Sequence, residues 1–372
     1  MINLKNCSIE KFTAYAKDRK IYAFGASEYM RSLYERLPSG QYDFIQNIVS
    51  IADNDPDKWG KEYAFYGYTA PIISAADLVS RINSNDIILI TTYYFPDIIA
   101  QLDDIEALDK IDCFILQYAD EYCDDHITAD IKEKIARSKE KEPQIPKKIY
   151  YCWFGGGEIP DKLRECINSW SRYCPDYEIF RVDESTYDVA KNRQVKSAYE
   201  AGRWSKVSNY ARFDIIYENG GIYMDTDVEL LKSLDDLLYH QAVIGFSSKR
   251  RLEPGTLLGA KKQNALIRML LECLEENEPY SDECQKRCSK KFYATLCSLG
   301  FIPNNTFQSI NGMAFYPNDF FCPINQVTGV LKITESTYMI HKFVKSWNDK
   351  FRDNWNKMLE FSSKYESRII KI

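Results

Sequence analysis

The sequence predicts an α/β protein of two domains, a Rossmann-like domain over residues 1–142 and a second α/β domain over 143–372. Three observations predict it. Short apolar runs alternate with helical stretches in both halves, the pattern of strands joined by helices in a parallel sheet. The stretch Ser138–Lys148, SKEKEPQIPKK, is charged, carries two prolines and has no apolar periodicity, and so reads as the linker. A chain of 372 residues is long for one compact domain and comfortable for two.

The elements of the first domain follow in order. Ile21–Gly25 reads as a short buried strand ending in glycine, and residues 27–37 read as a helix. Ile48–Asp53 and Ile87–Thr92 read as the second and third strands, a helix begins at Pro96, and Cys113–Leu116 is a fourth strand. A dinucleotide fingerprint wants GxGxxG after the first strand, because the later glycines let the backbone approach a pyrophosphate. Gly25 is followed by Ala26, Ser27 and Met30, which do not supply it. Asp53 ends the second strand, where an acidic residue could hold a ribose. One glycine and one aspartate put a structural or partner-docking role ahead of nucleotide binding here.

After the linker the pattern restarts. Lys148–Phe154 reads as a strand running into Gly155-Gly156-Gly157, and Pro160 opens a helix to about Tyr173. Tyr177–Val182 is the next strand and Ser205–Glu218 the next helix. Asn219-Gly220-Gly221 can end that helix through a left-handed cap, and Gly221–Met224 leads into Asp225-Thr226-Asp227.

Composition narrows the functions. A net charge of −6 gives no basic face for nucleic acid. The 11 cysteines include no CxxC, and the Cys284/Cys288 pair has no second ligand pair at zinc spacing, so the thiols read as reduced and cytosolic. No signal pattern opens the chain, and runs such as Ile87–Ile90 are far too short to cross a bilayer, so a cytoplasmic location is expected.

The chemistry concentrates at Asp225 and Asp227. Residues i and i+2 of an extended segment point the same way, so these carboxylates would meet at one point. Paired carboxylates repel unless a cation or proton lies between them. Mg²⁺ or Mn²⁺ takes such oxygens, and phosphate oxygens complete the shell. A bare DxD triplet is more often a solvated turn than a metal site, but here a helix precedes it. Val207, Ala211 and Ile215 mark its core face, while Ser208, Asn209 and Arg212 share a neighbouring face. Arg212 can reach an anionic diphosphate or, in the plainer reading, a nearby carboxylate.

The run from Ser208 through Asp227 resembles the SDxxRxxxLxxxGGxYxDxD signature of glycosyltransferases with a DxD sugar-binding region. That group includes the family 32 capsular-polysaccharide enzymes, yeast-type α-mannosyltransferases and, more distantly, the clostridial glucosylating toxins. Val228–Leu238 is similar to the family's continuation, Tyr151–Gly156 to its first strand, and His341–Trp347 to its closing H-x-x-x-x-S-W. Residues 1 to about 145 lie outside the resemblance. The resemblance implies a GT-A fold, a nucleotide-sugar donor and a retaining transfer. It implies Trp153 stacked on the donor base, Arg212 at the diphosphate and sugar, Tyr223 in the donor site and Asp225 on ribose and sugar. It further implies Asp227 as the direct metal ligand, with Asp225 and His341 beside it, and Ser346 and Trp347 closing over the diphosphate. The family's Asp after the serine is Asn209 here, which can donate as well as accept hydrogen bonds.

The expectation is a metal-dependent transfer of a hexose or N-acetylhexosamine, from a UDP-sugar in the first place, to a glycan or lipid-linked acceptor in bacterial surface polysaccharide synthesis. The rival is a catalytically weakened scaffold that binds sugar nucleotide within an assembly complex, with Asn209 in its favour. Near the end, Trp347, Phe351, Trp355 and Phe361 mix with Lys345, Lys350, Arg352 and Lys357. Such a basic aromatic helix either rests on an anionic membrane or packs on the catalytic domain, the second being the plainer reading.

Overall fold

The computed structural model describes residues 1–34, 43–65, 67–122, 129–275, 278–344 and 349–372. The chain forms two compact units, one of Met1–Asp124, Gln326–Val330 and Lys345–Ile372, the other of Asp125–Asn325 and Leu331–Val344. Both are α/β, as the alternation of apolar runs and helices predicts.

The first unit is built on strands β1 (Asn3–Asn6), β2 (Ile21–Phe24), β3 (Ile48–Ala52), β4 (Glu62–Phe65), β5 (Tyr68–Ile73), β6 (Ile87–Ile90) and β7 (Asp112–Ile115). Together with the terminal strand Ile370–Lys371 they form one sheet in the order 370–371, β1, β7, β6, β2, β3, β5, β4. Every pair is parallel except the β4–β5 hairpin. β2, β6 and β7 are buried along their whole length, and β2 and β6 appear in the sequence as unbroken apolar runs while β7 opens on the buried Asp112. The chain leaves β2 toward β3 and returns on β2's other side as β6, so the strand order reverses at β2. Helices α1 (Ile9–Ala16), α2 (Glu28–Tyr34), α3 (Ala75–Arg81), α4 (Phe95–Asp103) and α5 (Leu116–Asp120) cover the sheet. Of the helix expected over 27–37, the part beyond Tyr34 falls outside the described residues.

Asp53, just past β3, is occupied by its own neighbourhood. One carboxylate oxygen accepts from the Ala26 N–H at 2.9 Å and from Lys58 Nζ at 3.0 Å, and the other accepts from the Asp55 N–H at 2.9 Å. It ties the loops after β2 and β3 together.

The helix Asp349–Tyr365 also belongs to this unit, which corrects the expected 143–372 domain. Its Trp355, Met358, Phe361 and Tyr365 are buried, with Phe361 edge-on to Phe95 of α4 at 5.2 Å and Lys357 paired to Asp97 at 2.8 Å. These rings are consumed by packing, and they pack on the first unit rather than on the second. At the other boundary, helix α6 (Ala129–Arg137) and the proline-bearing stretch after it belong to the second unit. Ile131 and Ile145 enter its core, and the Gln144 and Ile145 N–H groups both donate to the Leu238 carbonyl, at 2.7 and 3.0 Å. Two isoleucines thus pull the expected linker onto the domain that follows it.

The second unit carries β8 (Lys148–Cys152), β9 (Glu178–Val182), β10 (Gly221–Tyr223), β11 (Val228–Leu230), β12 (Ala242–Ser248), β13 (Arg251–Leu252), β14 (Leu258–Ala260), β15 (Gln308–Ile310), β16 (Met313–Tyr316) and β17 (Met339–His341). Its main sheet runs β15, β16, β12, β14, β10, β8, β9, with β13 paired to β12 and a separate ribbon of β11 and β17. β9, β8 and β10 are parallel, and β14 runs against β10. The side chains alternate as strands require. Tyr150, Cys152, Tyr223 and Ile244 enter the core on one face, and Ile149, Ile222 and Val243 enter the core on the other. Helices α7 (Asp161–Tyr173) and α9 (Trp204–Asn219) match the two expected, α8 (Arg193–Glu200) lies between them without having been expected, and Gly220 ends α9 with φ of 67°. Among the described residues no helix is long and apolar enough to cross a membrane, and no cysteine forms a disulfide.

Candidate functional site

The site forms where β10 ends. β10 and β8 run side by side in register, Tyr223 beside Tyr150, so the chain leaves both strands at the same sheet edge. Beyond β10 the chain turns, and the Val228 N–H closes back on the Asp225 carbonyl at 3.1 Å. Asp225 and Asp227 therefore converge through a turn, not through the extended i, i+2 geometry the sequence suggested. The turn is clamped on both sides. The Asp225 N–H donates to the Gly255 carbonyl at 2.7 Å, and the Lys342 N–H donates to the Asp227 carbonyl at 3.0 Å. In the β11–β17 ribbon Val228 lies opposite His341, which sets that imidazole beside the aspartates from more than a hundred residues away in sequence.

Each carboxylate has its own partners. Asp225 Oδ1 accepts from the Tyr223 hydroxyl at 2.8 Å and from Arg212 Nη2 at 3.3 Å. Arg212, 6% exposed, lies with its guanidinium 4.9 Å over the Tyr223 ring, and its Nε donates to the Ser208 carbonyl at 3.2 Å. Asp227 Oδ1 is 3.1 Å from His341 Nε2, and its Oδ2 accepts from the Val344 N–H at 2.9 Å. Burial pushes the Asp225 carboxyl up, against the pull of Arg212 and His341. Burial acts upward on Asp227 too, but His341 and the Val344 N–H outweigh it and hold that carboxyl low. His341 is raised well above the usual imidazole range, because Asp227 overcomes the cost of burying its charge.

One ligand atom each from Asp225, Asp227 and His341 lie within 4.8 Å of one another, a spacing that could hold a metal ion. Two carboxylate oxygens and one imidazole nitrogen are ligand types that a divalent cation accepts. The partly buried carboxylates also need positive charge close by, since Coulomb repulsion between them is weakly screened there.

The remaining expected residues fall as follows. Trp153 is half-buried at the exit of β8, with its N–H on the Val182 carbonyl at 2.8 Å and its indole Nε1 donating to the Gly157 carbonyl at 2.6 Å. Ser208 and Asn209 are half-buried on α9, and the Ser208 hydroxyl donates to the Trp204 carbonyl at 3.1 Å. Tyr223 is 1% exposed and its hydroxyl donates to Asp225 Oδ1. Ser346 and Trp347 lie outside the described residues.

Sequence reasoning missed the segment Glu253–Thr256. Its Pro254-Gly255 pair signals a turn, but only the folded chain shows what the turn touches. A Cβ on Gly255 would sit 2.1 Å from Asp225 Oδ2 and 2.8 Å from Arg212 Nη1, so only glycine leaves room there. The Thr256 hydroxyl is 2.7 Å from His341 Nδ1.

Residues 160–244 match the family described as the glycosyltransferase sugar-binding region containing the DXD motif. Among curated proteins, inositol phosphoceramide mannosyltransferase 3 of Schizosaccharomyces pombe is 28% identical over 130 residues, 34% of this chain and 36% of that protein. Subversion of eukaryotic traffic protein A of Legionella pneumophila is 24% identical over 181 residues, 40% of this chain and 28% of that protein. The chain thus spans about a third of the first relative and little more than a quarter of the second. Among solved structures, the PaToxG glycosyltransferase overlaps 46% of this chain and 77% of its own at 16% identity and a TM-score of 0.33. The galactosyltransferase LgtC, solved with donor and acceptor sugar analogs, overlaps 60% of this chain and all of its own at 13% identity and a TM-score of 0.31. The matched stretch runs through α9, β10 and the Asp225–Asp227 turn, so the site lies within the part of the chain that is similar to the glycosyltransferase sugar-binding region containing the DXD motif.

Proposed function

We propose that the second unit is a metal-dependent, retaining hexosyltransferase. It moves a hexose or N-acetylhexosamine from a nucleotide sugar, a UDP-sugar in the first place, to a glycan or lipid-linked acceptor. The observation that carries this reading is the convergence of Asp225, Asp227 and His341 beside the buried Arg212. A divalent cation held by those three side chains supplies positive charge for the diphosphate that departs.

The chain's own residues do the rest. Arg212 adds a fixed, always-charged guanidinium whose donors suit phosphate oxygens. Tyr223 holds Asp225 in place beneath it. Trp153, at the exit of β8, stacks on the donor base, and Ser208 and Asn209 reach the ribose and sugar hydroxyls from α9. The acceptor hydroxyl forms its bond to the anomeric carbon on the face from which the diphosphate leaves. The anomeric carbon–phosphate oxygen bond breaks, and a departing phosphate oxygen takes the hydroxyl proton, so no separate base is assigned. Retention rests on the family resemblance of the Ser208–Asp227 run.

A hexose donor and a lipid acceptor accord with the name of the S. pombe relative. Thiols without disulfides among the described residues accord with a cytoplasmic enzyme, and surface polysaccharide synthesis is the setting that joins these features. The test is donor hydrolysis and transfer across a panel of UDP- and GDP-sugars with Mn²⁺. Asp225→Ala and Asp227→Ala should each abolish turnover while the far-UV spectrum is kept. Full activity in either variant, or in chelator-treated protein, overturns the reading. Donor binding without turnover in the wild type would instead favour the scaffold that Asn209 suggests.

A further inference from the structure

We propose that Gly255-Thr256 is the positioning element of the cation site, and that the Thr256 hydroxyl accepts the His341 Nδ1 proton and so keeps Nε2 aimed at Asp225 and Asp227. The inference rests on the cation reading above. It concerns residues beyond the matched stretch, which ends at residue 244.

A neutral imidazole carries one N–H, and the partner of one nitrogen decides the state of the other. Thr256 is 1% exposed, and its Oγ1 lies 2.7 Å from His341 Nδ1 and 3.4 Å from Cys322 Sγ. A cation on Nε2 leaves the ring's one proton on Nδ1, which then donates to Thr256 Oγ1 at 2.7 Å, and the hydroxyl's own proton is left for the buried Cys322 sulfur. The opposite arrangement, with the hydroxyl donating to Nδ1, would put the proton on Nε2 and block ligation. Phe343 stacks on the imidazole at 3.9 Å with 27° between the planes, which resists a ring flip that would exchange the two nitrogens.

The residue before Thr256 acts on the opposite ligand. The Gly255 carbonyl accepts the Asp225 N–H at 2.7 Å, and its missing side chain is what admits the Asp225 carboxylate. One dipeptide therefore holds the first ligand by its backbone and the third by its side chain, with Asp227 between them. Groups that orient ligands in this way commonly govern metal affinity about as strongly as a weak ligand does.

The test measures Mn²⁺ and Mg²⁺ affinity of the full-length protein by titration, using free-Mn²⁺ electron paramagnetic resonance and calorimetry. Thr256→Val keeps the shape and removes the hydroxyl, and should weaken Mn²⁺ binding by roughly 10- to 100-fold. Because the lost ligand is a nitrogen, Mg²⁺ affinity should fall less, and the preference for Mn²⁺ should shrink. Thr256→Ser restores the hydroxyl and should bind Mn²⁺ as the wild type does. Cys322→Ala removes only the sulfur that turns the hydroxyl and should cause a smaller loss, which serves if Thr256→Val fails to fold. Wild-type Mn²⁺ affinity in Thr256→Val, or in Cys322→Ala should only that variant fold, overturns the inference, provided that His341→Ala has lost affinity. If His341→Ala and Asp227→Ala both bind Mn²⁺ normally, it is the cation reading that fails.

Discussion

The two sheets end alike and do different chemistry. In each unit a parallel strand runs out at an acidic residue beside a glycine-bearing turn: β3 reaches Asp53 next to the Gly25 loop, and β10 reaches Asp225 next to Gly255. Ligands of α/β sheets gather at such carboxyl edges, and the reversal of strand order at β2 marks the first unit's edge as the expected place. Yet both Asp53 oxygens are spent on Ala26, Asp55 and Lys58 within its own loops. At the second edge two carboxylates, a guanidinium and an imidazole converge from α9, β10, the following turn and β17. A shared topology positions loops. What makes an edge a site is charge that the local loops do not already cancel.

The largest expected effect separates the two aspartates directly. Asp227→Asn should lower donor hydrolysis by at least about 100-fold, the scale on which one electrostatic contact to developing charge is felt. Asp53→Asn should leave hydrolysis unchanged and cost about 1–3 kcal/mol of stability, because a buried network loses one of its partners. The readouts are turnover on a responsive nucleotide sugar and the urea midpoint. Turnover lost in Asp53→Asn but kept in Asp227→Asn would reverse the comparison.

The two glycines sharpen it. Gly255→Ala drives a methyl to 2.1 Å from Asp225 Oδ2, so the carboxylate must move. Displacing a reacting group by about 1 Å can cost about 100-fold, and that loss in kcat should come with weaker Mn²⁺ binding. Gly25→Ala meets Thr92 at 2.8 Å and carries a φ of 108° that other residues avoid. Strain there should cost about 1–3 kcal/mol of stability and leave kcat alone. A melting shift in Gly255→Ala without any change in kcat or Mn²⁺ affinity would count against its place in the site.

How far these edges were legible depends on what each signal encodes. β2, β6 and, from Cys113 on, β7 were readable because strands buried on both faces are written as apolar runs. β1, Asn-Leu-Lys-Asn, buries only Leu4 fully and leaves no such run. The helix Asp349–Tyr365 shows its aromatic face in the sequence but not the partner of that face, which is α4 of the first unit. Asp225, Asp227, Arg212 and His341 were legible through the motif, although the reason given for the convergence of the aspartates was wrong, since a turn and not an extended strand brings them together. Thr256 and Cys322 carry no local signal. They join the site only through the pairing of the Asp225 N–H with Gly255 and of β11 with β17, which are tertiary facts.

The smallest effect contrasts two histidines within the second unit. His240 is 1% exposed with its Nε2 2.8 Å from the Tyr316 hydroxyl, and burial, aided by Lys139, pushes it down to about 4. His341, equally enclosed, is raised because Asp227 faces it. The signs are opposite. A depressed histidine binds its proton more readily when unfolded, so its contribution to stability is lost as pH falls from the unfolded value near 6.5 toward about 4. A raised histidine contributes fully below the unfolded value and loses that only as pH climbs through the folded one, so His341 adds little slope between about pH 7 and 5. Across that interval His240 should cost about 2 kcal/mol. His240→Gln, which keeps a polar group for Tyr316, should flatten the fall in metal-free protein by that amount. Equal slopes in wild type and variant would mean that His240 is not held neutral, and that enclosure alone does not set these two imidazoles apart from bulk behaviour. A flattened slope would show that enclosure alone makes a histidine neutral here, so that the charge on His341 is the work of Asp227.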